Sequence, residues 1–326
     1  MKTVFLFTGG YTGESVISLK SAETFKKHLA SDKYKVYTIV VSKGKWQAFY
    51  QETELEFNFN NCTIRQNGEL VKPHVALIAL HGPPGENGWL QGYLSIQDLP
   101  FTTGDTLSMA ASFDKKMSVD IARQHQIPVA KSKIYKAKNL SDDSVKDLLD
   151  NFKLPVFIKP NASGSSLGVS KVKSQDEILP ALQLAAKEGN DIMVEAFLEG
   201  CEITCGVFRH QGQLVALPPT EIRSHNDFFD YNAKYNKASD EITPAQVPDA
   251  WIENVQREAK KAYVAFNCRG VIRVDFMVNK DGIPHMIEPN TVPGMSEESI
   301  IPQQLQVAGI EISTMIDAII DEALAH

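Results

Sequence analysis

Short apolar runs alternate with amphipathic segments through the first hundred residues of the chain. Three continuous apolar runs, typical of buried strands, lie at 3–7 (TVFLF), 35–41 (KVYTIVV) and 74–80 (HVALIAL). Apolar residues recur at helical spacing over 16–29, and glycine-rich turns follow strands at 9–15 and 81–88. The pattern predicts a βαβ arrangement with a parallel sheet, in which ligands bind at the carboxyl edge.

After residue 101 the pattern predicts two further regions in which helices and strands are mixed. Helical patterns are expected at 108–125, from 141, and at 175–187, 251–266, 299–308 and 312–324. Strand patterns are expected at 132–137, 155–160, 168–174, 191–198 and 201–217, with a hairpin at 270–290. The sequence contains no internal repeat and no low-complexity tract.

Composition and charge narrow the class of protein. The chain has 326 residues, more than one hydrophobic core usually serves, so we expect two or three domains. The formal net charge is −7 and no long basic run occurs, which argues against nucleic acid as a partner. No apolar stretch approaches a membrane span, and the first apolar run is too short for a signal peptide. The four cysteines fit neither a disulfide framework nor a zinc pattern, so we expect reduced thiols in a cytoplasmic protein.

The segment 158–171, IKPNASGSSLGVSK, places Lys159 ahead of a loop of small residues. It differs from a GxxxxGK[ST] P-loop, because the lysine precedes the glycines and a strand pattern follows. Such a loop can still lie flat on a polyphosphate, with successive backbone N–H groups forming an anion nest. Ser165 and Ser166 add hydroxyl donors, and Lys159 adds a positive charge. The alternative is an ordinary hairpin tip, where glycine and serine are common.

The predicted hairpin at 270–290 collects polar side chains on one face. Its turn signal at 279–282 would pair Asp275 with Met286 and Arg273 with Glu288. Because strand side chains alternate with a period of two, one face carries Arg273, Asp275, Glu288 and Asn290. Two carboxylates and an amide oxygen suit Mg²⁺, which proteins hold through one or two carboxylates plus substrate phosphates. The opposite face, with Val274, Phe276 and Ile287, is expected in the core; a solvated face with a surface ion pair is the alternative.

Three other segments carry candidate polar groups. In 291–299, Gly294 permits close backbone approach, and Ser299 stands at a predicted helix start, which favours a carboxylate or phosphate. His81 and Glu86 follow a strand end and are candidates for chemistry or orientation. Glu14 lies near the start of the first helix. Structural alternatives are N-capping by Ser299, a capping histidine in a glycine turn, and a favourable helix-dipole position for Glu14.

Five motifs, in order and spacing, resemble the D-alanine–D-alanine ligases of the ATP-grasp superfamily. They are GGYTGESVIS (9–18), HGPPGENGWLQG (81–92), KPNASGSSLGVSKV (159–172), RVDFMV (273–278) and EPNTVPGMSEESIIPQ (288–303). The resemblance covers nearly the whole chain. It implies a Rossmann-like α/β domain at 1–102, followed by a two-lobed ATP-grasp fold of α+β character at 103–194 and 195–326. It also implies an enzyme that joins two D-alanines with ATP, giving the dipeptide used in peptidoglycan.

The same resemblance implies roles around the first substrate. Glu14 would bind the ammonium group of the first D-alanine, and His81 would lie by its carboxylate. Ser165, in the phosphate flap, would complete a hydrogen-bonded triad with Glu14 and Tyr235. Lys234 and Tyr235 match the family's closing loop, within FFDYNAKY (228–235).

Further implied roles concern the reacting groups. Arg273 would stabilise an acyl phosphate, which forms when the first carboxylate attacks the γ-phosphate of ATP. The amine of the second D-alanine would then displace phosphate through a tetrahedral intermediate. Gly294 would give an oxyanion-hole N–H, and Ser299 would bind the second carboxylate. The protein's task is then positioning, charge neutralisation and exclusion of water.

Nucleotide and metal binding are also implied by the resemblance. Contacts to ATP would come from Lys115, Lys159, Ser166, Glu195, the Leu198 backbone and Glu202. Two Mg²⁺ ions, or Mn²⁺, would be held by Asp275, Glu288 and Asn290. One departure is Ala196, where the family often has lysine; it removes a cation near the adenine and puts nucleotide affinity, rather than reaction type, in doubt.

Two other functions fit parts of the sequence. A sister ligase would take D-lactate or D-serine as second substrate, although Tyr235 favours D-alanine. An inactive ATP-binding paralogue would bind nucleotide without releasing ADP. A nicotinamide-dependent dehydrogenase is set aside, because GGYTGE lacks the GxGxxG spacing. The family resemblance implies a homodimer that acts on small molecules, with no membrane partner.

Overall fold

A computed structural model describes residues 1–162, 167–224 and 239–326. Within these ranges the strands form three sheets with helices packed around them, which agrees with the expected mixture of α/β and α+β structure. No helix of the described ranges is long and apolar enough to cross a membrane. All four cysteines are free thiols, and burial raises the pKa of Cys205 to about 12.

The first sheet has seven strands in the order β6-β5-β4-β3-β2-β1-β7. Their bounds are β1 Lys2–Gly9, β2 Tyr34–Ser42, β3 Lys45–Tyr50, β4 Thr53–Asn58, β5 Thr63–Gln66, β6 Glu69–Val71 and β7 Val75–Ile78. β1 pairs in parallel with both β2 and β7, which confirms the predicted parallel core, and α1 (Ser15–His28) follows β1. The antiparallel strands β3 to β6 extend this core, and the apolar pattern had predicted no element at 45–71.

Three short helices lead from this sheet to the middle of the chain. They are α2 (Trp89–Ile96), α3 (Thr106–Phe113) and α4 (Lys115–Gln124). The single helix expected at 108–125 is therefore two helices. The break is at Asp114, whose extended backbone ends α3 and whose carboxylate accepts a hydrogen bond from the Met117 N–H at 2.9 Å, capping α4.

The second sheet has four strands in the order β10-β9-β11-β8 and is antiparallel. The strands are β8 Ser132–Lys136, β9 Val156–Pro160, β10 Ser170–Val172 and β11 Asp191–Ala196, and the helices that cover them are α5 (Asp142–Asn151) and α6 (Ile178–Ala185). Apolar residues from both helices and all four strands form one buried cluster. The connection between β9 and β10 contains the glycine–serine loop, of which residues 163–166 lie outside the described ranges.

The third sheet is antiparallel, in the order β15-β14-β12-β16-β17, with β13 also paired to β12. Its strands are β12 Cys201–His210, β13 Gln213–Ala216, β14 Thr220–Ser224, β15 Ser239–Ile242, β16 Ile272–Val278 and β17 Pro284–Asn290. The remaining helices are α7 (Asp249–Ala265), α8 (Ile300–Val307) and α9 (Ile312–Leu324). One side of the third sheet packs on α7. α9 packs on β12 of this sheet, on α1, and on β1 and β7 of the first sheet, in a single cluster.

The β16–β17 hairpin differs in register from the sequence-based expectation. Asp275 pairs with Glu288 and Arg273 with Asn290, rather than Asp275 with Met286 and Arg273 with Glu288. A β-bulge between Asp275 and Phe276 shifts the register, and sequence alone gave no signal for it. The bulge also brings Met286 into the core, where Ile287 had been expected.

Candidate active site

A row of polar residues crosses three neighbouring strands of the third sheet. Thr204 on β12 lies opposite Asp275 on β16, and Asp275 lies opposite Glu288 on β17. Val274 and Phe276, whose side chains point to the other side of β16, are fully buried in the core. The alternation of the strand therefore turns the polar row away from the core, as the sequence predicted for Asp275 and Glu288.

Asp275 is the most heavily bonded side chain of this row. Arg273 donates through two nitrogens, one to each carboxylate oxygen, and each N···O distance is 2.8 Å. Thr204 Oγ1 donates to Oδ1, and Asn290 Nδ2 donates to Oδ2 at 2.9 Å. These bonds fix the carboxylate in one orientation, so Arg273, Asp275 and Asn290 are brought together as predicted.

Two lysines meet carboxylates beside this row. Lys115 Nζ, at the start of α4, lies 3.7 Å from Glu288 Oε2. Lys159 on β9 lies 2.7 Å from Glu195 Oε2 on β11, and both residues are 8% exposed. Burial lowers the pKa of Lys159, but Glu195 and Glu288 raise it further, so the net pKa is raised and the ammonium stays charged.

The start of α4 is held in place by Asn161, which directly follows β9. The Lys115 N–H donates to the Asn161 carbonyl at 3.1 Å, and the Lys116 N–H donates to Asn161 Oδ1 at 2.9 Å. Asn161 Nδ2 in turn donates to Asp114 Oδ2 at 2.7 Å. The second sheet thereby positions Lys115 near Glu288 of the third sheet.

The donor set at this place fits a hard divalent cation. Asp275 and Glu288 are carboxylates at paired positions, and Asn290 turns its amide nitrogen toward Asp275, which leaves its carbonyl oxygen as the other donor. In the described ranges no group of three or more His, Cys, Asp or Glu side chains has metal-binding geometry. Two carboxylates and one amide oxygen fit Mg²⁺ whose coordination is completed by substrate phosphate oxygens.

A second group of residues gathers at the carboxyl edge of the first sheet. Gly82 has a φ of +65°, and a β-carbon there would lie 2.5 Å from Glu14 Oε2, so the Glu14 carboxylate rests against a bare backbone. Glu86 accepts hydrogen bonds from the N–H of Gly82 at 2.7 Å and from the N–H of Val292 at 3.3 Å. Burial, with Glu14 and then Glu288 nearby, raises the pKa of Glu86 to about 7.

His81 is buried, 6% exposed, and both of its ring nitrogens have partners. Nδ1 lies 2.6 Å from the Val292 carbonyl oxygen, and Nε2 lies 2.9 Å from Ser21 Oγ. A carbonyl can only accept, so Nδ1 carries the proton and Nε2 accepts from Ser21. Burial lowers the pKa of His81, which keeps the ring neutral.

Gly294 and Ser299 lie together in the segment that follows β17. A β-carbon on Gly294 would lie 2.9 Å from Ser299 Oγ, so a side chain at position 294 would require the Ser299 hydroxyl to shift. Ser299 precedes α8 as its N-cap, but its hydroxyl lies 2.7 Å from Ser296 Oγ and does not cap the helix. The Ser299 hydroxyl therefore does not act as the N-cap that the alternative interpretation expected.

The remaining predicted residues are spread around these two groups or lie outside the described ranges. Glu202, half-buried on β12, is opposite Met277, and Leu198 is half-buried in the connection after β11. Ala196 ends β11, and its N–H donates to the Lys131 carbonyl at 2.8 Å. Ser165, Ser166, Lys234 and Tyr235 fall on residues outside the described ranges.

Sequence reasoning missed Thr204 and Ser21. Thr204 sits in an ordinary strand pattern, and only the pairing of β12 with β16 brings it to Asp275. Ser21 is one of several serines of α1, and only the packing of α1 against 291–299 brings it to His81 and to the Met295 N–H, 3.0 Å from Ser21 Oγ. Neither position carries a signal in the sequence itself.

The chemistry available here is positioning and charge neutralisation. Lys115 and Arg273 face Glu288 and Asp275, which can hold a divalent cation, and Lys159, paired with Glu195, adds a third positive charge. Positive side chains beside a site for a divalent cation are what polyphosphate binding requires. Burial lowers the pKa of Arg273, but Asp275, Glu288 and Glu241 raise it more, so the guanidinium remains charged. No covalent nucleophile is needed for such chemistry.

Comparisons with known proteins agree with this arrangement. The family model described as D-ala D-ala ligase C-terminus matches residues 118–321, and that described as D-ala D-ala ligase N-terminus matches residues 3–104. A protein named D-alanine–D-alanine ligase from Porphyromonas gingivalis is 38% identical over 322 residues, which covers 98% of this chain and 97% of the relative.

Solved structures of similar proteins share the fold over nearly the whole chain. The VanG D-Ala:D-Ser ligase from Enterococcus faecalis is 28% identical, with a TM-score of 0.88 and coverage of 98% of each chain. The D-alanine–D-alanine ligase from Bacillus anthracis complexed with ATP is 26% identical, with a TM-score of 0.78 and coverage of 100% of this chain and 98% of the other.

Proposed function

The chain belongs to the D-alanine–D-alanine ligase family, and on that premise we propose that it joins two D-alanines into D-alanyl-D-alanine. It is an ATP-dependent ligase of the ATP-grasp fold, forms a carbon–nitrogen bond and releases ADP and phosphate. The dipeptide serves peptidoglycan synthesis. The observation that carries this proposal is the meeting of Lys115 and Arg273 with the Asp275–Glu288 pair, with the buried Lys159–Glu195 pair and the Glu14–His81 group nearby.

In the proposed first step, the carboxylate of one D-alanine attacks the γ-phosphate of ATP. Lys115 and Lys159 hold the phosphates, and Arg273 holds the transferred group on its way to the acyl phosphate. Asp275, Glu288 and Asn290 would hold Mg²⁺ or Mn²⁺, which would neutralise negative charge on the phosphates. Glu14 binds the ammonium group of the first D-alanine.

In the proposed second step, the amine of the second D-alanine attacks the acyl carbon. A C–N bond forms, the C–O bond to phosphate breaks, and inorganic phosphate leaves. The Gly294 N–H donates to the oxygen on which negative charge develops. Ser299 binds the carboxylate of the second D-alanine, and its closeness to Gly294 supports both roles.

Other assignments complete the proposal. Glu195 and the Leu198 backbone contact adenine, and Glu202 takes the ribose hydroxyls. His81 lies by the first carboxylate, with both ring nitrogens bonded within the protein. The four residues outside the described ranges keep the family's roles: Ser165 and Ser166 in the phosphate flap, Lys234 and Tyr235 in the closing loop. We also propose domains at 1–102, 103–194 and 195–326, a homodimer, and a cytoplasmic location.

The test is ADP release by the purified protein with Mg²⁺, ATP and D-alanine, with mass detection of the product. We expect ADP release that depends on D-alanine and a matching amount of dipeptide, and no stimulation by L-alanine. Parallel reactions that combine D-alanine with D-serine or D-lactate identify the second substrate. ATP binding with no turnover on any D-amino acid would contradict the proposal and favour an inactive paralogue.

A further inference from the structure

Gly294 lies between two backbone groups that are bonded to a single pair of buried side chains. On one side, the Val292 carbonyl accepts from His81 Nδ1 at 2.6 Å. On the other side, the Met295 N–H donates to Ser21 Oγ at 3.0 Å. Ser21 and His81 are bonded to each other, with Ser21 Oγ 2.9 Å from His81 Nε2. The short chain segment that carries Gly294 is therefore held at both ends.

The direction of every bond in this set follows from the chemistry of the groups. The Val292 carbonyl can only accept, so His81 Nδ1 bears the proton and Nε2 is an acceptor. Ser21 must then donate its hydroxyl hydrogen to Nε2, and its oxygen is left to accept from the Met295 N–H. The bonds run in one direction, from Met295 through Ser21 and His81 to Val292, and a neutral imidazole is required.

Burial makes this set rigid. Ser21 is fully buried and His81 is 6% exposed, so water does not compete for their bonds. Glu86 adds a bond from the Val292 N–H to Oε1 at 3.3 Å, so both backbone groups of Val292 are bonded to side chains. Ser18, one turn before Ser21 on α1, accepts from the His81 backbone N–H at 2.9 Å, so it bonds to the backbone of His81 and not to the ring.

We propose that Ser21 and His81 are positioning residues that fix the 292–295 segment so that the Gly294 N–H is already aimed at the oxyanion of the second step. Neither side chain has a spare polar atom for the reacting groups: the ring nitrogens are bonded to Ser21 and Val292. Their effect on the reaction is thus indirect, through the backbone. The expected effect on the second chemical step rests on the proposed ligase reaction. The fixing of segment 292–295 by Ser21 and His81 does not depend on that reaction.

The test compares Ser21→Ala with the matched control Ser18→Ala. Both serines are fully buried on α1, and both bond to His81, but only Ser21 also bonds to the Gly294 segment. The first measurement is amide hydrogen exchange in the peptide that contains 292–299, without ligands. We expect faster exchange there in Ser21→Ala and wild-type exchange in Ser18→Ala.

The second measurement separates the two chemical steps. Scrambling of ¹⁸O between the bridge and non-bridge positions of ATP reports acyl phosphate formation, and dipeptide release reports the whole reaction. In Ser21→Ala we expect dipeptide formation to fall by roughly tenfold to a hundredfold, while isotope scrambling per turnover rises. In Ser18→Ala we expect any loss to affect both rates alike.

Two results would overturn the proposal: equal exchange of 292–299 in both variants, or equal losses of both rates in both variants. If Ser21→Ala fails to fold, Ser21→Cys keeps a small side chain with weaker hydrogen bonding and gives the same two readouts. A wild-type protein that makes no dipeptide would contradict the proposed function alone, because hydrogen exchange still decides whether Ser21 fixes the segment.

Discussion

At the scale of single residues, the polar groups of the site are paired with each other before any substrate arrives. Asp275 accepts from Arg273, Thr204 and Asn290, and Lys159 is paired with Glu195. Such pairing keeps buried charges in place and lowers the cost of rearranging them when charge develops on a substrate. The same pairing makes the loss of one partner costly.

The first prediction concerns Glu288, which is close to Lys115 and opposite Asp275. Glu288→Gln removes one of two carboxylates from the proposed metal site, so we expect Mn²⁺ to bind at least tenfold more weakly and turnover to be lost. Asp281→Asn, an exposed change in the turn of the same hairpin, removes the same charge away from the site and serves as control. Mn²⁺ binding followed by electron paramagnetic resonance checks it; equal binding by both variants would remove Glu288 from the metal site.

The second prediction concerns the pH dependence of stability and rests on Glu86. Its pKa is raised in the folded protein from 4.5 to about 7, mainly by burial, so folding favours the protonated form. This contribution to stability is complete below about pH 4.5 and is lost as pH rises to about 7. Since one pKa unit corresponds to about 1.4 kcal/mol, the loss is on the order of 3 kcal/mol.

Glu86→Gln cannot ionise, so the difference in unfolding free energy between wild type and variant should change with pH. We expect wild type to lose stability relative to the variant between about pH 4.5 and 7, in urea denaturation at several pH values. A constant difference over this range would show that the Glu86 pKa is not raised by folding.

At the scale of secondary-structure elements, the site depends on how strand β12 changes partners. β12 pairs with β14 through Thr204 and with β13 from Val207 onward. Between these pairings, Gln304 of α8, which is fully buried, bonds to the strand's backbone: its Oε1 accepts from the Gly206 N–H at 2.8 Å and its Nε2 donates to the Thr204 carbonyl at 2.9 Å. The Gln304 side chain therefore takes the place of a strand partner for β12, next to Thr204, which bonds to Asp275.

The third prediction is that Gln304→Met lowers the unfolding free energy by about 3 kcal/mol, because it leaves two buried backbone groups without partners. Gln306→Met, on the exposed side of the same helix, is the matched control and should change stability by less than about 0.5 kcal/mol. Urea denaturation of both variants gives the comparison. Similar stabilities of the two variants would mean that β12 does not need the Gln304 amide.

The elements themselves were largely predictable, whereas their meeting points were not. Apolar periodicity predicted α9 at 312–324 and the parallel core of β1, β2 and β7, because burial dictates those patterns. The continuous apolar runs did not extend to β3 to β6, although the alternation in β4, TELEFN, is typical of a half-buried strand. The bulge at Asp275 and the contacts of Thr204 and Ser21 depend on pairings between distant segments, which a single sequence does not encode locally.

At the scale of the whole molecule, the two ends of the chain share one core. Five buried residues of α9 pack with β1, α1 and β7: Met315, Ile316, Ile319, Ile320 and Ala323. The Tyr34 hydroxyl adds a hydrogen bond to Asp317 Oδ1 at 2.8 Å. The last helix thus covers part of the first sheet, although the residues between that sheet and α9 form the other two sheets.

The fourth prediction follows from this shared core. Removal of residues 312–326 exposes the apolar side of the first sheet, and each large buried side chain lost from a core costs about 2–5 kcal/mol. We therefore expect the truncated chain to lose cooperative unfolding of the first sheet, seen as missing protection of β1 and β7 in amide hydrogen exchange. Ile316→Ala is a milder test of the same packing, and we expect it to lower the urea midpoint. Asp321→Ala, on the exposed side of the same helix, is the control and should leave the urea midpoint unchanged. Full protection of β1 and β7 in the truncated chain would contradict this prediction. It would show that the first sheet is stable without α9 and that the packing of α9 is not needed for folding.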